Sequence, residues 1–351
     1  MESVKTYLGF AVKEGASDLL IIAGKELLIK KNGEMVTISK DRLMPQHTEV
    51  LIKELYTLAG RSYAEEMCDG DDDFSLSITG MARFRVNVYR QRGSIAATIR
   101  IVSFGIPDWK ELGIDKDVMT IAQMTSGLVL ITGPSGSGKS TTLACIVDAI
   151  NQTRNAHIIT IEDPIEYLHR NAMGVVSQRE IAIDTTDYLK AFKASLRQAP
   201  DVIVLGEMRE AEAAQAAMSA AESGRLVIST MHTHGAVNTL ESIIDMFPAI
   251  QQQQVRLQMN QSLRLVVSQQ LIPGADGRIP VFEIMYMNPS VQILVREGKT
   301  ERIDSVIQTS ASQGMRYMDD AILELYKKGY ISRYTALRYA VRPLTLQSKL
   351  N

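Results

Sequence analysis

Eight consecutive residues, Gly133-Pro134-Ser135-Gly136-Ser137-Gly138-Lys139-Ser140, follow the spacing G-x-x-x-x-G-K-[ST] at every position. That pattern is suited to holding a chain of phosphates. Its glycines let successive backbone N–H groups turn inward toward phosphate oxygens. A helix N-terminus behind them adds partial positive charge. Lys139 is placed to reach β- and γ-phosphates, Ser140 to ligate Mg2+ and Thr141 to touch the α-phosphate. The expected ATP-binding set is Ser135, Gly136, Ser137, Gly138, Lys139, Ser140 and Thr141, with ATP and Mg2+ as ligands.

Hydrolysis needs one group that orients or deprotonates water and a second acid on the metal side. Two carboxylate clusters end apolar runs: Ile161-Glu162-Asp163-Pro164-Ile165-Glu166, and the run from Asp201 to Glu207. Glu207 follows a glycine at a strand end, where a parallel sheet presents its ligands. It is the candidate metal-side carboxylate with Ser140, acting directly or through water. Glu162 is the first choice for polarising the attacking water and Glu166 the second. Asp163 reads as a proline-turn residue supporting the site. His232 either senses the γ-phosphate or holds Glu207, and His234 is peripheral. Arg83 and Arg85 share one strand face by alternation, and Arg100 lies on the next strand. Arginines so placed suit bidentate phosphate contact or a solvated face. Arg209 and Arg197 are further candidates to approach the nucleotide.

These groups need a scaffold. Four apolar runs, 127–132, 157–161, 202–205 and 226–230, each feed a polar segment. Continuous apolar runs separated by helices predict a parallel sheet covered on both faces. Residues 211–222 are strong helix formers. Upstream, the pattern predicts helices over 2–14 and 47–58. Strands are expected over 18–30, 35–38, 74–79, 83–89 and 94–102, with a turn at 31–34. That is an α+β domain on one curved sheet. Gly105-Ile106-Pro107-Asp108 breaks the pattern. Helices over 291–297, 302–310, 317–328 and 333–341 end the chain. The expected division is 1–104 as N-terminal domain, 105–114 as linker, 115–287 as ATPase core and 288–351 as a helical C-terminal subdomain.

The 351 residues are 45% apolar and 22% charged, ordinary for a globular protein, and the net charge of −2 does not advertise nucleic-acid affinity. Two cysteines, Cys68 and Cys145, form no CxxC, which argues against a zinc site or disulfide framework. Cys145 reads as a small buried hydrophobe. No signal peptide and no apolar run near the roughly 18 residues of a membrane span is found. The chain is expected in the cytoplasm, meeting a membrane only through a partner.

Taken together, the motifs resemble those of type IV pilus retraction ATPases, the PilT group of the type II/IV secretion ATPase superfamily, in the family's own order. Gly15-Ala16-Ser17-Asp18-Leu19 resembles its GASDLH opening, with Leu20 where histidine is usual. Arg83-Phe84-Arg85-Val86-Asn87 resembles RFRVN. The phosphate loop resembles GPTGSGKSTT, with Ser135 for threonine. Ile161–Glu166 is similar to its aspartate box. Leu196–Asp201 and Gly206–Arg209 are similar to its Walker B region, Met231-His232-Thr233 to its histidine box and Asp245-Met246-Phe247-Pro248 to DxFP. The resemblance implies an α/β architecture: an N-terminal PAS-like α+β domain, then a RecA-like P-loop ATPase domain with a helical C-terminal subdomain. It implies a homohexamer in which Arg85 and Arg100 approach the γ-phosphate. It implies an inner-membrane, PilC-like platform protein as partner, a second retraction ATPase as a further one, and a place at the inner face of the cytoplasmic membrane.

Three positions depart from the family. Arg225 stands where its first histidine is usual, so either it senses phosphate or that role is lost. Ser290–Glu297 matches the retraction motors' AIRNLIRE only in part, with Gln292 for an arginine. Lys25–Leu28 lacks the family's paired prolines. The rival readings are a PilU-like accessory retraction ATPase, an extension or type II secretion ATPase, and a DNA-translocating RecA-like motor. The extension class usually carries an extra N-terminal domain and a four-cysteine zinc site. The last class would need a basic pore.

Overall fold

The computed structural model of the chain describes residues 2–31, 33–63, 70–102, 105–275 and 277–350. Cys68 lies outside them. The chain divides into two compact units, Met1–Gly105 with Glu166–Leu168, and Ile106–Ile165 with His169–Asn351.

In the first unit, among the described residues, a six-stranded antiparallel sheet runs in the order β3-β2-β1-β6-β5-β4. Its strands are β1 (Asp18–Ile21), β2 (Leu28–Lys31), β3 (Glu34–Thr37), β4 (Asp71–Ile78), β5 (Ala82–Gln91) and β6 (Ser94–Val102). Helices α1 (Val4–Lys13) and α2 (Pro45–Ala59) pack on it. Phe84, Val86 and Val88 of β5 and Ile99 of β6 join Leu8 of α1 and Leu51, Leu55 and Tyr56 of α2 in one core. Each large apolar side chain so buried contributes about 1.5–3 kcal/mol. The alternate residues Arg83, Arg85 and Asn87 are only partly buried, as period-two alternation requires. The single strand expected over 18–30 is instead two. Gly24 takes φ 84°, and Lys25 N–H bonds the Ile22 carbonyl at 3.4 Å, so the chain turns back between β1 and β2. The expected hairpin then joins β2 to β3, with Lys31 opposite Glu34.

In the second unit a seven-stranded sheet runs in the order β13-β12-β7-β11-β10-β8-β9, again among the described residues. The strands are β7 (Gly127–Thr132), β8 (His157–Glu162), β9 (Val175–Glu180), β10 (Val202–Leu205), β11 (Leu226–Met231), β12 (Leu263–Gly274) and β13 (Gly277–Tyr286). All are parallel except β13, which runs antiparallel to β12. Helices α3 (Lys116–Met119) and α4 (Lys139–Thr153) cover one face with Val129, Ile131, Val202, Val204 and Ile228. Helices α5 (Tyr188–Ser195), α6 (Ala211–Glu222), α7 (Ala236–Asp245) and α8 (Ala249–Ser262) cover the other with Leu128, Leu130, Ile203, Leu205 and Val227. The same strands feed both cores, which is why their sequences are unbroken apolar runs.

The four strands read from the sequence are the central ones. β9 reads Val-Val-Ser-Gln-Arg-Glu, too polar for an interior strand, and it forms an edge. β12 and β13 form the opposite rim.

The helices after Asn288 divide between two cores. α9 (Pro289–Glu297) and α10 (Ile303–Thr309) add Val291, Val295, Ile303 and Ile307 to the core around α7 and α8. α11 (Met318–Lys327), α12 (Arg333–Tyr339) and α13 (Pro343–Lys349) close a small core on Ile272 and Val281 of the β12–β13 hairpin. Gln292, at the departing family position, joins α9 to α8. Asn260 Nδ2 donates to its carbonyl at 2.9 Å, and its own Nε2 donates to the Asn260 carbonyl at 3.4 Å. Cys145 is buried in α4 with its thiol pushed up to about 11 by burial, an inert packing group. Among the described residues no helix is long and apolar enough to cross a membrane.

Candidate nucleotide site

Four neighbouring parallel strands, β7, β11, β10 and β8, deliver their C-terminal ends to one edge of the sheet. The phosphate loop follows β7, His232 follows β11, Glu207 lies just past β10 and Glu162 ends β8. Strand order therefore ranks them by distance from the loop: His232, then Glu207, then Glu162.

The loop is held tightly. Gly133 has φ 142°, and a Cβ there would sit 2.1 Å from the Gln269 carbonyl oxygen, so only glycine fits. The helix α4 begins at Lys139, so its first N–H groups and dipole face whatever the loop holds. Lys139 is 8% exposed. Its ammonium folds back on the loop, donating to the carbonyls of Gly133 at 2.8 Å and Pro134 at 3.0 Å. Ser135 and Gly136 are exposed at the loop's tip, Gly138 is half-buried as the N-cap of α4, Ser140 is exposed and Thr141 half-buried. Thr132 Oγ1 and Ser137 Oγ are buried without a partner among the described residues. Such orphaned hydroxyls suit a polar ligand.

His232 bridges the loop and Glu207. Its Nε2 lies 3.1 Å from Glu207 Oε1; its Nδ1 lies 3.4 Å from Ser135 Oγ and 3.5 Å from Lys139 Nζ. Arg209 donates to Glu207 Oε2 at 2.7 Å. Burial opposes ionisation of Glu207, but Arg209 and His232 outweigh it and hold the carboxyl below its ordinary range. The ionised carboxylate only accepts, so His232 donates to it through Nε2. His232 thus touches both Glu207 and the phosphate loop.

Glu162 Oε1 accepts from Thr160 Oγ1 at 2.6 Å and Gln178 Nε2 at 3.1 Å. Gly206 brings the two carboxylate segments together. Its N–H bonds the Ile161 carbonyl at 2.7 Å, and a Cβ there would lie 3.0 Å from that oxygen. Glu166 is exposed and falls in the segment Glu166–Leu168 that groups with the first unit. The Asp163–Pro164 peptide is cis, and Asp163 is exposed beside it. His234 is exposed.

Two arginines are displaced from the site. Arg225 precedes β11 and bonds Gly127 N–H through its carbonyl at 3.0 Å, at the opposite edge of the sheet from His232. A strand of six residues spans roughly 20 Å, so the phosphate-sensor reading of Arg225 is overturned. Arg197 precedes β10 and likewise lies at that far edge. In the first unit, Arg85 and Arg100 stand directly opposite each other on β5 and β6. Arg100 Nε donates to Asp18 Oδ1 at 3.1 Å, and Ser17 Oγ donates to Asp18 Oδ2 at 2.8 Å.

The family described as "Type II/IV secretion system protein" matches residues 1–275. The chain belongs to that family. It is 40% identical to the type IV pilus retraction ATPase PilT of Pseudomonas aeruginosa over 337 residues, 96% of this chain and 97% of that protein. It is 37% identical to the type IV pilus ATPase PilU of the same organism over 336 residues, 95% of this chain and 87% of that one. A crystal structure of the pilus retraction motor PilT with bound ADP matches with a TM-score of 0.90 at 37% identity, covering 99% of this chain and 100% of that one. The mixed α/β fold of this family member is that of the motor.

Several residues at the site carry no sequence signal. Gln269 of β12 accepts from Thr142 Oγ1 of α4 at 2.9 Å and braces the loop by lying against Gly133 and Gly138. The Tyr188 hydroxyl lies 3.2 Å from where a Gly206 Cβ would be. Burial, then the carboxylates of Asp163 and Glu207, push its pKa above the usual range, so it stays a proton donor. Their roles come from strand order, which no local pattern reveals. Among the described residues no group of three or more His, Cys, Asp and Glu could hold a metal alone. Mg2+ needs no such cage; it keeps waters and binds through phosphates and one or two hard oxygens. The exposed Ser140 hydroxyl and the Glu207 carboxylate fit that requirement.

Proposed function

We propose that this chain is the subunit of a hexameric ATP-hydrolysing motor that powers type IV pilus retraction, the work behind twitching motility. The reading is carried by the match to a pilus retraction ATPase along nearly all of both chains. It is supported by a site in which lysine, histidine and glutamate are already in contact. In this reading the first unit is a PAS-like domain, and the second a RecA-like ATPase domain with the helical subdomain, divided near 104, 115 and 288. The motor works in the cytoplasm, at the inner face of the cytoplasmic membrane, against a PilC-like platform protein.

ATP lies along Ser135–Thr141, with backbone N–H groups and the α4 dipole facing its phosphates. Lys139 exchanges the Gly133 and Pro134 carbonyls for β- and γ-phosphate oxygens. Mg2+ would supply neutralising charge to the bound phosphates. Ser140 would hold it directly. Both Glu207 oxygens already carry donors, so Glu207 would act on it through water. Glu162 orients and deprotonates the attacking water, with Glu166 as second choice. His232 reports the state of the γ-phosphate to Glu207, and Arg209 keeps Glu207 ionised. Arg85 and Arg100 supply positive charge to the transferring phosphoryl group. The match to PilU along 95% of this chain supports an accessory retraction ATPase as the second reading.

The test is ATP hydrolysis by the purified protein with Mg2+, with and without DNA, beside Glu162→Ala and Glu207→Ala, with mass from light scattering. A hexamer active without DNA and silenced by either substitution is expected. A monomer that binds ATP without turnover, or activity that requires DNA, would sink the proposal.

A further inference from the structure

Helix α7 starts directly after the turn that carries His232, and its N-cap is Gly235, which has no side chain to offer. Helix α11 starts at Met318 behind Tyr317, which makes no side-chain cap either. A helix start leaves backbone N–H groups that need acceptors. Both helices find them on the β12–β13 pair. Ser268 Oγ accepts from Gly235 N–H at 2.9 Å. Glu283 Oε1 accepts from Ala236 N–H at 2.7 Å, and Oε2 from Met318 N–H at 3.3 Å. Ser268 and Glu283 are register partners across the two strands. Glu283 is 2% exposed. The next residue on β12 is Gln269, the brace of the phosphate loop.

We propose that Glu283 is a positioning residue for the nucleotide site: one buried carboxylate, capping two helices at once, fixes the His232–Gly235 turn and fastens it to the first residue of α11. The inference rests on the reading of His232 as part of an ATP-hydrolysing site. It goes beyond that reading by giving the C-terminal helices a mechanical connection to the turn that carries His232.

Chemistry explains why an acid stands here. A carboxylate presents two equivalent acceptors, and two helix starts each require one. An amide of the same shape presents one acceptor and one donor, so it satisfies either Ala236 or Met318 but not both. The acid is retained despite a cost. Burial pushes its pKa up to about 7, the two backbone donors pull it back, and the nearby carboxylates of Asp304 and Asp319 push it further up. A hydroxyl would cap one helix without that penalty, so the double connection is what the carboxylate uniquely supplies.

The experiment uses the full-length protein with Glu283→Gln, and Ser268→Ala as a second variant that keeps the acid. Steady-state ATP hydrolysis separates kcat from KM. Hydrogen exchange is followed in segments 232–238 and 316–320, with ADP and with a non-hydrolysable ATP analogue. For Glu283→Gln, kcat should fall roughly 10- to 100-fold, the scale of an ångström-level misplacement of a reacting group. KM should stay within about threefold. In the unsubstituted protein, exchange in both segments should respond together to the change of nucleotide, and in Glu283→Gln the response at 316–320 should be lost. A folded Glu283→Gln with kcat unchanged, or with the exchange response intact in both segments, overturns the proposal. If the unsubstituted protein hydrolyses no ATP, the functional reading fails instead, and the exchange measurement alone decides whether Glu283 links the two segments.

Discussion

Arg85 and Arg100 stand on a face of the six-stranded sheet, whereas Lys139, His232, Glu207 and Glu162 gather at an edge of the seven-stranded one. The first sheet buries one face, with Phe84 and Ile99 inward and the arginines away from that core. The second buries both faces, and the groups around its phosphate loop stand at the strand ends. On a face, functional residues come in period two along one strand, and a single strand shows them. At an edge, each strand contributes one residue, and strand order decides which meet. The two regions also store charge differently. Like charges directly opposite on neighbouring strands repel. Arg100 is partly offset by Asp18, but Arg85 faces it across β5 and β6. At the edge, Glu207 is matched on both oxygens.

That contrast can be broken at either end. The largest effect is expected for Lys139→Ala, which should cut ATP turnover about 1,000-fold, measured by phosphate release at saturating ATP. A smaller loss, about 100-fold in kcat, is expected for Arg100→Ala. Arg85→Ala should also slow turnover while leaving the melting temperature within about 2 °C, because it removes a repulsion and no core contact. If Arg85→Ala keeps full activity, the open face is a solvated surface and not part of the site.

A fourth prediction concerns the interior of the second unit. The pKa of Glu283 in the folded protein, about 7, stands above its ordinary 4.5, so the folded state holds that proton more tightly. Its contribution to stability is full below about pH 4.5 and is lost as pH rises through 7. Between about pH 5 and 8 the melting temperature should therefore fall more in the unsubstituted protein than in Glu283→Gln, by a few degrees. Equal slopes would mean that this carboxyl does not titrate differently on folding. The smallest effect is expected for Arg225→Ala, whose turnover should stay within about twofold. A large loss there would mean that the far edge of the sheet also communicates with the nucleotide.

The phosphate loop, the four central strands and most helices of the tail were legible because each is a local pattern: fixed spacing, an unbroken apolar run, or a helical period. The edge strand β9 was not, because it is polar and only Glu180 of it is buried. The split of 18–30 turned on one glycine. For Arg225 the family position left two roles open, and only its place along the strand separates them: as the residue before β11 it stands at the end away from the phosphate loop. Tyr188, Gln269, Ser268 and Glu283 had no signal at all. Each acts through a partner between 18 and 127 positions away in the chain or across a strand pair.

By itself the sequence determined the chemical inventory: a lysine in a glycine-rich loop before a helix, carboxylates after apolar strands and arginines alternating on one strand. Those follow from bonds and periods within about ten residues. Only the tertiary structure decided which of them meet. Parallel pairing in the order β7-β11-β10-β8 put His232 between Lys139 and Glu207 and carried Arg225 to the other edge. The physical reason is that a strand's neighbours are chosen by burial of whole faces and by long-range pairing, a property of all the strands together and of none alone.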